Sequence, residues 1–143
     1  KLLQRLCPRA TARIWIQAPS LNVLHLPTLR PLLQMLATAV TGKVDVRVLY
    51  DGGYTPAAIE SDDIAYLRAR GVSCRSHTSV ARMHSRVVLV DQAHVICGSH
   101  SWSATSAYHS EELAIYACSE PLAERQAQRF EGLWRAAGSG GAK

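Results

Sequence analysis

Three short apolar runs separated by two amphipathic ones constrain the fold of this chain more than any other feature. The segment Arg-Ile-Trp-Ile-Gln-Ala at Arg13–Ala18 reads as a buried strand that ends at Pro19. Residues 28–40 place Leu29, Leu32, Leu33, Leu36 and Val40 on one helical face, with Thr28 as N-cap and Gly42 as the stop. Residues 44–50 alternate apolar and polar, then break at Asp51-Gly52-Gly53. Thr55-Pro56 opens a second helix, expected to run to Arg70, stop at Gly71 and bury Ile59, Tyr66 and Leu67. A third short strand is expected over 72–75. Strand, helix, strand, helix, strand predicts a mostly parallel sheet with crossover helices.

The second half of the chain changes character. Two strands, over 85–90 and 94–97, are separated only by Asp91-Gln92-Ala93, the spacing of a hairpin. Another strand is expected over 112–117. A final helix over 119–137 carries Ala123, Ala127, Phe130 and Trp134 as an apolar stripe. The 143 residues suit one domain over 1–137, followed by a Gly/Ser-rich tail or linker over 138–143. No apolar run approaches the roughly 20 residues of a membrane span. Cys7, Cys74, Cys97 and Cys118 form no CxxC pair, which argues against a zinc or redox motif, and Cys97 and Cys118 are expected to be buried thiols. Such thiols fit a reducing compartment, so a bacterial cytoplasmic location is expected, with a processed secreted or periplasmic form as the alternative.

The charge is +5, and 13 of the 16 cations are Arg. Arginine presents a planar fork to phosphate, although a codon bias would give the same excess. Between Arg68 and Arg86 lie five Arg, two His and no acid. This stretch leads into the segment His84-Ser85-Arg86-Val87-Val88-Leu89-Val90-Asp91. A strand has a side-chain period of two, so His84 and Arg86 are expected to face the same side. A nucleophile beside a fixed positive charge is what phosphoryl chemistry requires.

The spacing His84-x-Arg86-x4-Asp91-x6-Gly98-Ser99 resembles the HKD signature of the phospholipase D superfamily, His-x-Lys-x4-Asp-x6-Gly-Ser-x-Asn. Trp102-Ser103 and His109-Ser110-Glu111 also sit where members carry related residues, and the upstream strand–helix–strand pattern extends the resemblance over nearly the whole chain. The single motif, over 84–111, is similar to that of small bacterial endonucleases of the family. The resemblance implies an α/β fold with a mixed sheet flanked by helices. It implies metal-independent phosphodiester hydrolysis of nucleic acid, DNA or RNA, through a phosphohistidine and without a cofactor. It further implies a homodimer in which His84 of each chain serves the other as general acid.

In that reading His84 is the nucleophile, and Arg86, Ser99 and Ser101 bind phosphate. Glu111 orients His84, with Glu112 as the competing acid. Asp91 and Gly98 support the motif. Arg68, Arg70, Arg75, Arg82 and Trp102 are candidate nucleic-acid contacts, Trp102 being equally readable as a core anchor. Two positions depart from the family pattern. Arg86 replaces Lys, which keeps the charge and changes the donor geometry. Ser101 replaces Asn, which loses an amide donor. Two other functions stay open: a degenerate nucleic-acid-binding module of a larger protein such as a helicase, and phospholipid hydrolysis or phosphatidyl transfer. No His pair has metal-ligand spacing, and Tyr50-Asp51-Gly52-Gly53 lacks the Lys of a nucleotide-binding loop.

Overall fold

A computed structural model describes residues 1–53, 61–78 and 82–138. Its centre is a six-stranded mixed sheet in the order β4-β3-β1-β5-β6-β8. The strands are β1 (Arg13–Ala18), β3 (Asp45–Asp51), β4 (Ser73–His77), β5 (Val87–Val90), β6 (His94–Gly98) and β8 (Ala114–Cys118). β1, β3 and β4 are mutually parallel, whereas β5, β6 and β8 are antiparallel to their neighbours. A two-residue ladder joins β2 (Leu21–Asn22) to β7 (Trp102–Ser103).

The alternation along β1 separates two cores. Ile14 and Ile16 are fully buried in one, with Val46, Val48, Val88 and Val90. Helices α2 (Arg30–Thr41), through Leu33 and Leu36, and α3 (Asp62–Arg68), through Ile64 and Leu67, cover that face. Trp15 points to the other face, where it joins Leu49, Leu89, Val95 and the stripe Ala123, Ala127, Phe130 and Trp134 of α5 (Glu120–Gly138). Phe130 stacks between Trp15, at 5.0 Å, and Trp134, at 5.6 Å. Burial on both faces explains why β1 is an almost continuous apolar run.

Several boundaries differ from expectation. α2 begins at Arg30, not at Thr28, because turns from Val23 to Leu29 consume the preceding residues. Pro31 then takes a first-turn position, where its missing N–H leaves no bond unmade. α3 begins after Ser61, whose hydroxyl accepts the Ile64 N–H, so it is shorter than the helix expected to run to Arg70. Thr55, Pro56 and Ile59 lie outside the described residues, as do residues 139–143; Gly138 ends α5 rather than opening a tail. Tyr66 is only half-buried, and the inward position goes to Asp63, whose carboxylate accepts the Val23 and Leu24 N–H groups.

Cys97 is half-buried and Cys118 is exposed, contrary to the buried thiols expected; Cys118 lies on β8, an edge strand most of whose residues are exposed. The buried thiol is Cys7, pushed up to about 12 by burial and by the Asp91 charge. The short helices α1 (Leu2–Leu6) and α4 (Ala104–Tyr108) carry too few turns to leave a periodic signal in the sequence. Among the described residues no helix is long and apolar enough to cross a membrane.

Candidate active site

The carboxyl ends of β1, β3 and β4 and the start of β5 meet at one edge of the sheet, since Gln17 of β1 pairs with Val87 of β5. His84 and Arg86 lie in the segment just before Val87. The expected strand over 85–90 begins two residues late: Ser85 and Arg86 precede it, and His84 and Arg86 are not successive positions of one strand face. The β1–β5 ladder ends at Gln17, and on the other side the Gly98 N–H of β6 reaches as far as the Arg86 carbonyl, at 3.3 Å. His84 is exposed and Arg86 half-buried.

Arg86 organises the near side of the site. Its Nε donates to Ser101 Oγ at 3.0 Å and its Nη1 to the His84 carbonyl at 3.1 Å. The Ser101 N–H donates to Ser106 Oγ at 3.0 Å, and the Ser106 hydroxyl donates to Glu112 Oε1 at 2.6 Å. The Ser99 hydroxyl donates to Glu112 Oε2. Arg86, Ser101, Ser106, Glu112 and Ser99 therefore form one continuous hydrogen-bonded chain. The Ser106 and Ser99 hydroxyls, followed by the positive charges of His100 and Arg86, hold the Glu112 carboxyl below its ordinary range.

Of the two candidate acids, one bonds the loop. Glu112 joins the Gly-Ser loop; Glu111 is exposed, and no hydrogen bond of its side chain is seen among the described residues. The strand ladder ends where Gly98 pairs with Ala114; beyond it the Ser99 N–H donates to the Leu113 carbonyl and the Leu113 N–H donates to the Ser99 hydroxyl, which brings the residue before Leu113 against the loop. Ser106 was not anticipated; its only sequence signal is the Ser-x-x-Ser spacing by which Ser103 caps α4. Gly98 has a steric reason to be glycine, because a Cβ there would sit 2.1 Å from the Leu113 carbonyl oxygen.

The other motif residues disperse. Asp91 lies at the far end of β5 from Arg86. Its Oδ1 accepts the N–H groups of Thr11, Ala12 and Arg13 at 2.8–3.1 Å, tying the hairpin to the start of β1. The basic stretch also splits. Arg68 ends α3 and Arg70 follows in the turn that leads to the amino end of β4, where Arg70 covers the Tyr66 ring at 3.6 Å. Arg75 stacks on Trp134 and donates to its carbonyl at 2.8 Å. Of the four arginines proposed as nucleic-acid contacts, Arg82 alone lies near His84 in the chain and is exposed. Trp102 is half-buried against the core. It lines a mainly apolar cavity of about 410 Å³ with Leu29, Leu32 and Ile96, and Arg86 and Ser101 also line this cavity. Among the described residues no group of three His, Cys, Asp or Glu side chains is placed to hold a metal ion.

Comparison with known proteins bears on this arrangement as a whole. Two solved structures share the fold across 94% of the chain. One is Nuc of Salmonella typhimurium, a phospholipase D family member, with TM-score 0.77, 22% identity and 85% of its length covered. The other is NucT of Helicobacter pylori, with TM-score 0.75, 14% identity and 86% covered. Among curated proteins, mitochondrial cardiolipin hydrolase of Xenopus tropicalis is 30% identical over 92 residues, which is 64% of this chain and 43% of that protein. The Danio rerio protein of the same name is 35% identical over 94 residues, 65% of this chain and 40% of that protein. The chain thus matches less than half the length of these relatives. The family model described as "Cardiolipin synthase, PLD-like domain" matches residues 3–134. With the family model spanning residues 3–134 and Gly98 of the spaced motif bonded to Arg86, the chain belongs to the phospholipase D-like domain family.

Proposed function

We propose that this domain cleaves phosphodiester bonds in nucleic acid without a metal ion, through a covalent intermediate on His84. The observation that carries this reading is the chain from Arg86 through Ser101 and Ser106 to Glu112, set beside an exposed His84. A ring nitrogen of His84 attacks phosphorus while the bond to the leaving oxygen breaks, and that oxygen takes a proton from a second histidine. Water then attacks the phosphohistidine, gives its proton to the second histidine and releases a phosphomonoester. Arg86 neutralises charge on the non-bridging oxygens; none of the ion pairs among the described residues involves it. Ser99 and Ser101 add hydroxyls, and Glu112 replaces Glu111 as the acid that orders the loop.

One motif supplies one histidine, so the reading calls for a second copy across a two-fold axis. The surface that fits is β8, the sheet edge that continues from Gly98 and Ser99. There Leu113 and Ile115 are 69% and 59% exposed. Apolar side chains on an uncovered edge strand favour pairing with another chain. The net charge of +5 favours a polyanion. The fold likeness covers most of Nuc and NucT, structures close to this chain in length.

The apolar cavity that reaches Arg86 and Ser101 favours a second reading, in which an acyl chain enters the cavity and the phosphate of a lipid meets His84. The discriminating assay sets wild type and His84→Ala against single- and double-stranded DNA, RNA, and vesicles of anionic diacyl phospholipid, all in EDTA. We expect His84-dependent cleavage of nucleic acid. Cleavage of lipid alone selects the second reading. Binding of nucleic acid without cleavage selects a binding module. Activity lost in EDTA and restored by Mg²⁺ overturns the metal-free mechanism.

A further inference from the structure

The segment 82–86 belongs to no helix or strand, yet it carries the residue that most needs a fixed position. Strand β6 reaches it at Arg86, whose carbonyl accepts the Gly98 N–H, so residues 83–85 depend on other bonds. Two buried polar side chains reach it from neighbouring strands, one on each side of His84.

Asp51 is the last residue of β3 and is 3% exposed. Its Oδ2 accepts the Met83 N–H at 2.7 Å, and its Oδ1 accepts the Gly53 N–H at 2.7 Å. Gln17 is the second-last residue of β1 and is 4% exposed. Its Nε2 donates to the Ser85 hydroxyl. Met83 is itself buried and packs with Leu49 and Leu89, so residue 83 is held by its side chain as well as by its N–H. His84 stands exposed between these two attachments. Both anchors come from the carboxyl ends of interior strands, which are paired on both sides.

We propose that Asp51 and Gln17 are positioning residues that fix the backbone on either side of His84 and so aim its ring at phosphorus. The proposal rests on His84 being the nucleophile. A buried carboxylate that accepts two backbone N–H groups is a stiff anchor, because each bond is charge-assisted and loosening it would strand a buried charge. The hydroxyl bond from Gln17 closes the other side. In-line attack tolerates little displacement, and a shift of about 1 Å can cost about 10²-fold in rate. The prediction for the clamp is therefore specific: losing it lowers turnover while leaving substrate binding intact.

The test is a mutant cycle on Gln17→Met, Ser85→Ala and their double mutant, with Asp51→Asn as an independent variant. Steady-state hydrolysis of bis(p-nitrophenyl) phosphate, thermal midpoints, and amide hydrogen exchange at residues 83–86 are measured for each. We expect kcat to fall about tenfold or more in both single mutants, with KM within about twofold, and the double mutant to be no worse than the worse single. Exchange at 83–86 should rise in Gln17→Met and Asp51→Asn, while exchange in β1 and β3 stays at the wild-type rate. Unchanged exchange at 83–86, additive effects in the cycle, or a kcat loss that only follows a fall in thermal midpoint would overturn the proposal. His84→Ala is the control for the underlying reading. If it retains hydrolysis, the nucleophile assignment fails, whereas the exchange data still decide whether Asp51 and Gln17 fix the segment.

Discussion

Arginines occupy both ends of the sheet, and their surroundings differ. Near the amino ends of β1 and β3, Arg47 bonds Asp45 at 3.0 Å and Glu131 at 2.8 Å, and lies over the rings of Trp15 and Trp134. Arg13 covers Trp15 and donates to the Asp91 carbonyl at 2.8 Å. At the other end, Arg86 donates to a serine hydroxyl and a backbone carbonyl, both neutral. The first set has carboxylate, carbonyl and aromatic partners that spend its charge inside the protein. Arg86 makes no charge-paired hydrogen bond, which suits the anion-binding role proposed for it. The comparison shows that the count of cations in a sequence says little about anion binding until their partners are known.

The largest effects should separate the two ends by kind. His84→Ala is expected to lower phosphodiester cleavage by at least about 10³-fold, measured as single-turnover rate in EDTA. Arg86→Gln should cost about 10²–10³-fold in kcat with little change in thermal midpoint. Arg47→Gln should show the reverse, a lower midpoint and near wild-type kcat at a temperature where both proteins are folded. If Arg47→Gln lost as much turnover as Arg86→Gln, the distinction between the two ends would collapse.

The same contrast extends to apolar residues. Phe130, sandwiched between Trp15 and Trp134, is 2% exposed, and Phe130→Ala is expected to destabilise the domain by about 3–5 kcal/mol in urea unfolding. Ile115 is 59% exposed, and Ile115→Lys should leave the fold of the isolated chain within about 0.5 kcal/mol of wild type. Analytical ultracentrifugation of that variant reads the edge strand instead: we expect loss of a dimer, and an unchanged mass would exclude β8 as the pairing surface.

A smaller effect concerns acid. The folded protein holds the Glu112 carboxyl below its ordinary value of 4.5. The stabilisation from its charged form is therefore complete above that value and disappears as pH falls through the lower folded-state value. The stability gap between wild type and Glu112→Gln should narrow on the acid side of about pH 4.5. The smallest effect is a reactivity order. With a maleimide near neutral pH, exposed Cys118 should label first and Cys7 last, since burial keeps the Cys7 thiol protonated.

Local patterns made much of the scaffold legible. The run at β1 has the boundaries expected, because a strand buried on both faces leaves a continuous apolar signal. The α5 stripe is buried residue for residue, because an amphipathic helix writes its inward face at fixed spacing. Helix starts were less legible. Thr28 has the right chemistry for a cap, but the turns before α2 put the cap at Leu29.

The sequence by itself determined the motif spacing, the alternation that divides the core and the family to which the chain belongs, since each is carried by neighbours a few residues apart. Tertiary structure alone decided which acid bonds the Gly-Ser loop, which arginines pair inside the protein, and which side chains reach the residues beside His84. Those three depend on pairings between residues 13 to 84 positions apart, from Ser99 with Glu112 to Arg47 with Glu131. Such pairings are set by strand register and helix packing, where a one-residue shift turns every side chain to the opposite face and which no local window of sequence contains.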